Sequence, residues 1–166
     1  MADITIRING LDRHSVRNAI TELKKLQADN EDKMDQVCER LATYGAFRAS
    51  MEFSRSEYVG INDVSVSAEK TGNGWQVKAS GDSVLFLEYG SGASRGYGHP
   101  NPQGYGPGTY PGKGHWNDPK GWYLPKSVFG VRGIHNFGNR PTMAMYLAEQ
   151  DMRAEIDNVV NEVFGA

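Results

Sequence analysis

The chain has 166 residues, which is enough for one ordinary domain. Apolar residues make up 39% and charged residues 23%, which argues against wholesale disorder, and no run approaches the ~18 apolar residues of a membrane helix. One cysteine, Cys38, excludes an internal disulfide framework, and a net charge of −2 excludes capture of polyanions by bulk electrostatics. Met1–Thr5 lacks the basic start and apolar block of a secretion signal, so the expectation is a soluble protein of a reducing compartment.

Thr5–Ile8 reads as a short strand or a tail before the turn at Asn9-Gly10. From Val16, apolar residues recur at Ala19, Ile20, Leu23 and Leu26, then at Met34, Val37, Cys38, Leu41 and Ala42. That spacing predicts a helix over residues 12–51, either continuous or broken near Asn30. Cys38 falls on its apolar stripe, where a buried, unreactive thiol is expected. Val64, Val66 and Ala68 alternate with polar residues, and Trp75, Val77 and Ala79 alternate on the far side of Thr71-Gly72-Asn73-Gly74. This is a hairpin signal. The apolar run Val84–Leu87 predicts a third, central strand, so that residues 63–89 hold a hairpin and one more strand.

The composition then changes. All seven prolines lie between Pro100 and Pro141, and 13 of the 20 glycines between Gly90 and Gly138. The same window holds Tyr97, Tyr105, Tyr110, Tyr123, Trp116 and Trp122, with Tyr89 at its edge, and its charges are five cations against Asp118 alone. A basic Gly/Pro/aromatic segment is thus set into an acidic chain. Loops of this length are functional or disordered, and the aromatics favour a loop that orders on assembly. Asn139 and Pro141 then supply a cap and a preset φ for a C-terminal helix over residues 139–164, whose stripe runs from Met143 through Leu147, Met152 and Ile156 to Val163. The expected fold is one α+β domain over residues 1–166. A small antiparallel sheet packs against a long N-terminal and a C-terminal helix, with a long extended loop at 90–138.

Motifs for chemistry are weak. Gly90-Ser91-Gly92 with Gly96 imitates a dinucleotide fingerprint, but Gly98-His99-Pro100 cannot continue as the helix that fingerprint needs. Gly92-Ala93-Ser94-Arg95-Gly96 imitates a nucleophile elbow, with Asp118 and His135 following in hydrolase order, yet no large parallel sheet is available to hold a triad. His99, His115 and His135 are too widely spaced for a short-spaced metal pair. Glu88 ends an apolar run as a candidate buried carboxylate, with no second acid for acid–base work. Glu149 and Arg153 read as a solvated i, i+4 pair. Basic residues among Tyr and Trp suit nucleic acid, but five cations over about fifty residues make a sparse patch. No catalytic, cofactor or metal site is expected.

Phe86-Leu87-Glu88-Tyr89-Gly90-Ser91-Gly92 resembles the "(V/A)-E-(F/Y)-G-(T/S)-G" strand end of small tailed-phage head–tail joining, neck or tail-completion proteins. The resemblance continues through His99-Pro100, Gly112-Lys113-Gly114-His115-Trp116 and Gly121-Trp122-Tyr123. It ends in Gly138-Asn139-Arg140-Pro141-Thr142-Met143, similar to that family's "G-x-R-P-F-M" lead-in to its last helix. Two departures stand out. Thr142 replaces an apolar residue, and Phe53–Tyr58 occupies the place of a Pro/Thr-Gly segment.

The resemblance implies a non-enzymatic virion protein, made in the host cytoplasm. It would form a homo-oligomeric ring, commonly of six subunits, where the tail or neck joins the DNA-filled capsid. Its implied partners are copies of itself, adjacent connector or neck proteins, and tail-tube or tail-terminator proteins. DNA contact would arise only within the assembled channel, and no membrane or cofactor is implied. Expected interface residues are Tyr89, Arg95, Tyr97, Tyr105, Tyr110, Trp116, Trp122, Arg132 and Arg140. A small hydrolase of phage morphogenesis or lysis, and a decorating or adhesion module, are the alternatives.

Overall fold

A computed structural model describes residues 12–58, 60–92, 94–96, 98–100, 118–123 and 134–165. The Thr5–Ile8 reading, and the aromatics at 97, 105, 110 and 116, lie outside these residues.

Helix α1 spans Arg13–Ser54, 42 residues without a break. At 1.5 Å per residue it is about 63 Å long. Asp12 starts it by accepting hydrogen bonds from the His14 and Ser15 amides at 2.9 and 3.2 Å, which satisfies two of the orphan donors of the first turn. No Gly or Pro stands near Asn30, and the helix runs through it. Strands β1 (Ser65–Thr71) and β2 (Gly74–Ser80) form the expected antiparallel hairpin, in register from Ser65 opposite Ser80 to Thr71 opposite Gly74. Thr71 Oγ1 donates to the Gly74 carbonyl at 3.0 Å and fastens the turn. A two-stranded ribbon is marginal alone. Here Val66 and Ala79 face each other across the strands and pack on the core.

Residues 84–87 do not form a third strand. Val84–Tyr89 is a short helix, α2. The reason lies outside the run. Asp63 accepts from the Asp82 amide at 2.7 Å and the Ser83 amide at 3.0 Å, and from the Ser83 hydroxyl. These bonds fix the preceding turn, and Leu87 N–H then closes onto the Ser83 carbonyl at 2.9 Å. An all-apolar run of four has no period to tell strand from buried helix, so tertiary context decides.

Within the 90–138 segment, Trp122–Tyr123 (β3) pairs antiparallel with His135–Asn136 (β4). The last helix, α3, spans Ala144–Phe164 and not 139–164. Residues 139–143 instead run alongside the end of α2, and Met143 enters the helix with a left-handed φ of 56°.

α3 lies antiparallel on the second half of α1. Arg48 meets Asp151 at 2.7 Å, Arg40 meets Glu162 at 3.1 Å, and Lys33 sits 5.7 Å from the Phe164 ring. Small residues make this approach close. A Cβ on Gly45 would overlap Met152 Sδ. The central core is Ala49, Phe53, Leu87, Ala144 and Ala148. The hairpin tip also ends on α1: Asp35 accepts from Trp75 Nε1 at 3.0 Å and pairs with Lys70 at 2.7 Å. The Lys70 and Trp75 bonds hold the Asp35 carboxyl below its ordinary value, and the Asp35 bond raises the Lys70 ammonium above its own.

Candidate functional site

Of the segments singled out in the sequence, Phe86–Gly92, His99-Pro100 and Gly138–Met143 come together, whereas Gly112–Trp116 lies outside the described residues. Gly90, with φ 79°, ends α2 and turns the chain outward. Ser91 then meets Asn139. Ser91 N–H donates to the Asn139 carbonyl at 2.9 Å, and Asn139 N–H to the Ser91 carbonyl at 3.1 Å. Their side chains also hydrogen-bond, Ser91 Oγ to Asn139 Oδ1, and Asn139 Nδ2 donates to the Phe86 carbonyl at 2.7 Å. Further along, Thr142 N–H reaches the Leu87 carbonyl at 2.7 Å and Met143 N–H the Glu88 carbonyl at 3.2 Å. Gly138 has no alternative here: its φ is 92°, and a Cβ would overlap the Ser91 carbonyl oxygen. Residues 86–92 and 138–143, at the two ends of the long segment, thus share a hydrogen-bonded base.

Glu88 is the buried centre of that base, 5% exposed. Its Oε2 accepts from the Met145 amide at 2.8 Å, and its Oε1 from the Tyr146 amide at 3.0 Å. His99 Nε2 lies 3.1 Å from the same Oε1. The carboxylate therefore occupies the N-terminus of α3, where free amides and the helix dipole favour negative charge. The helix needs it, because Met143 at the cap position supplies no side-chain bond. The His99 ring lies tilted 4.5 Å from Tyr89 and edge-on 5.7 Å from Tyr146. This arrangement anchors residues 98–100 on the base. Glu88 has both oxygens engaged, so its geometry is that of a structural cap and not of a general acid or base. A cleft of about 460 Å³ opens above it between Cys38, Leu41, Trp75 and Met152. Cys38 is half-buried there rather than fully enclosed.

The elbow-like serine is placed elsewhere. Ser94 Oγ donates to the Pro119 carbonyl at 3.1 Å, while the His135 ring packs 4.7 Å from Tyr123 and 4.5 Å from Phe137. Among the described residues, Ser94 and His135 share no hydrogen bond.

Of the expected interface residues, Arg95 and Arg140 are exposed and line one open cleft of about 1210 Å³. Tyr89 is half-buried against His99 and helps hold the base. Trp122 is 6% exposed, so its ring is already covered within its own chain. Tyr97, Tyr105, Tyr110, Trp116 and Arg132 lie outside the described residues. Sequence reasoning named Tyr123 among the aromatics but not as an interface residue, although it is 70% exposed beside the buried Trp122, and it missed Arg55, which lines the same cleft as Arg95 and Arg140. Strand alternation was the available signal for Tyr123. Arg55 carried none, because its cleft is assembled from three separate segments. Comparison of the chain with protein-family models, with curated proteins and with solved structures finds no match.

Proposed function

We propose that the chain is a structural virion protein of a tailed phage. In this reading it forms a homo-oligomeric ring at the head–tail junction and completes the neck or tail. One observation carries the reading. Two motif segments some fifty residues apart, Glu88–Gly92 and Gly138–Met143, interlock through backbone bonds and are pinned by His99, another motif residue. Chance likeness in short, scattered motifs gives no reason for them to meet. The site also suits a scaffold: it rigidly holds the two ends of a long aromatic segment, as an interaction arm requires. Arg95 and Arg140, with the aromatic residues of 90–138 other than the covered Trp122, then contact neighbouring subunits or the adjoining ring.

The test is electron microscopy of lysates from a phage with an early stop codon in this gene. DNA-filled heads accumulating beside separate tails are expected. Complete, joined particles would overturn the proposal.

A further inference from the structure

The cations that look sparse along the 90–138 segment are less so in the fold, which gathers two of them with a third from elsewhere. Arg55 stands at the C-terminal end of α1, Arg95 in the turn after Gly92 and Arg140 in the run before α3. All three line the cleft of about 1210 Å³. The backbone beneath each is fixed. Arg55 N–H donates to the Met51 carbonyl at 3.3 Å, Arg95 N–H to the Gly92 carbonyl at 3.3 Å, and Arg140 follows the Asn139 that is locked to Ser91. Glu52, 3.2 Å from Arg55, offsets part of that charge, and Glu57 is the one carboxylate among the described lining residues. Arg95 and Arg140 have no ion-pair partner among the described residues. Ser56 Oγ, on the same lining, is buried with no hydrogen-bond partner among them.

A row of aromatic rings leads into this cleft. Tyr123 on β3 stands opposite His135 on β4, with the rings 4.7 Å apart, and the His135 ring lies 4.5 Å from Phe137, edge-on. Tyr123 is 70% exposed and Phe137 41%, and Phe137 itself lines the cleft. Guanidinium forks take phosphate oxygens two at a time, and exposed rings take bases by stacking, because every base has a π-face. An acidic peptide would use the arginines but gives the rings no partner of their own kind. In a duplex the bases are already stacked on one another and do not reach the rings.

We infer that this cleft binds single-stranded nucleic acid, with backbone phosphates on Arg55, Arg95 and Arg140 and bases on Phe137 and Tyr123. The net charge of −2 confines the attraction to the cleft, so binding is a property of this site and not of the whole surface. The inference goes beyond the ring reading and does not need it. A ring whose neighbours leave the cleft open keeps the site, and one whose neighbours cover it shows the binding in the free chain only.

Fluorescence anisotropy of a labelled oligothymidine of about twelve nucleotides, with the purified full chain, tests it. Saturable binding is expected, weakening about a hundredfold between about 0.05 and 0.5 M NaCl, as three neutralised phosphates require. Arg95→Gln with Arg140→Gln lowers affinity about tenfold or more and leaves a salt effect of only about fivefold over that range. Phe137→Ala lowers affinity about tenfold with the salt effect unchanged. Lys24→Gln with Lys25→Gln, exposed on α1 and outside the cleft, changes neither. Arg95, Arg140 and Phe137 are exposed, and circular dichroism confirms folding; the single arginine variants replace the double one should it unfold. Absence of binding at the lower salt overturns the inference, as does binding that the arginine variant leaves unchanged. An inert Phe137→Ala, or a duplex bound as tightly as the single strand, overturns it in favour of a phosphate-only site. Displacement by polyglutamate as effective as by unlabelled oligonucleotide of equal charge overturns it in favour of an acidic protein partner. None of these outcomes bears on the stop-codon phenotype, by which the ring reading stands or falls separately.

Discussion

Ser91 and Asn139, 48 residues apart in sequence, exchange both of their backbone hydrogen bonds, as directly opposed residues of an antiparallel ladder do. The pair closes the long segment at its root, next to the core residue Leu87. Four expectations follow from this root and from the core beneath it.

Gly138→Ala places a Cβ on the Ser91 carbonyl and forces a side chain into a φ of 92°. It is expected to destabilise the fold by about 2 kcal/mol or more. Thermal unfolding reads this, and hydrogen exchange at the Ser91 and Asn139 amides should accelerate first. An unchanged melting temperature would contradict the geometry.

Glu88→Gln exchanges a carboxylate that accepts from two helix amides for a group with one acceptor oxygen. A loss of about 2 kcal/mol is expected, and more for Glu88→Ala. The Met145 and Tyr146 amides should lose protection while the hairpin keeps its own. His99→Ala should loosen the 98–100 limb with a smaller loss. The Glu88–His99 contact also sets where the segment can be cut. A deletion from Tyr97 to Tyr110 removes His99 and disturbs the body, so replacing residues 101–117 with a short linker is the cleaner test of the arm.

Phe53→Ala opens a cavity at a side chain 2% exposed, between α1, α2 and α3. A cost of about 3–5 kcal/mol is expected from chemical denaturation. With total stabilities of about 5–15 kcal/mol typical, the variant should unfold at markedly lower denaturant.

Asp63 accepts from the Ser83 hydroxyl and from the Asp82 and Ser83 amides, which brings its carboxyl from an ordinary 3.8 down to about 2. The folded state thus holds the proton less tightly than the unfolded chain. Its stabilising contribution is fully present above about pH 4 and fades as pH falls toward 2. Asp63→Asn should flatten the acid dependence of unfolding across that window. A variant with the wild-type slope would show that other carboxylates dominate.

How much of this was legible in the sequence follows from the range of the interactions. α1 and the hairpin were readable because Val16 to Ala42 and Val64 to Ala79 repeat with the period of their own element. Val84–Leu87 was misread as a strand because Asp63, twenty residues earlier, fixes its turn. The start of α3 was placed five residues early because Asn139 looks like a local cap. Its side chain instead serves Ser91 and Phe86 across the base. The real cap, Glu88, is 57 residues from Met145, beyond the reach of any local pattern. Within the candidate site, Glu88 was readable as a buried carboxylate from its place at the end of an apolar run, but not as the cap of a helix that starts 56 residues later. The joining of Arg55 to Arg95 and Arg140 was not visible at all.

The closed root also has a consequence for the length of the segment. Because Ser91 and Asn139 are held together by the body itself, the stretch between them is an insert whose two ends share one fixed doorway. The entropy of closing such an excursion grows only with the logarithm of its length. Changes in the length of the stretch between Ser91 and Asn139 should therefore cost the helices and hairpin little stability, because its two ends stay fixed by the same bonds.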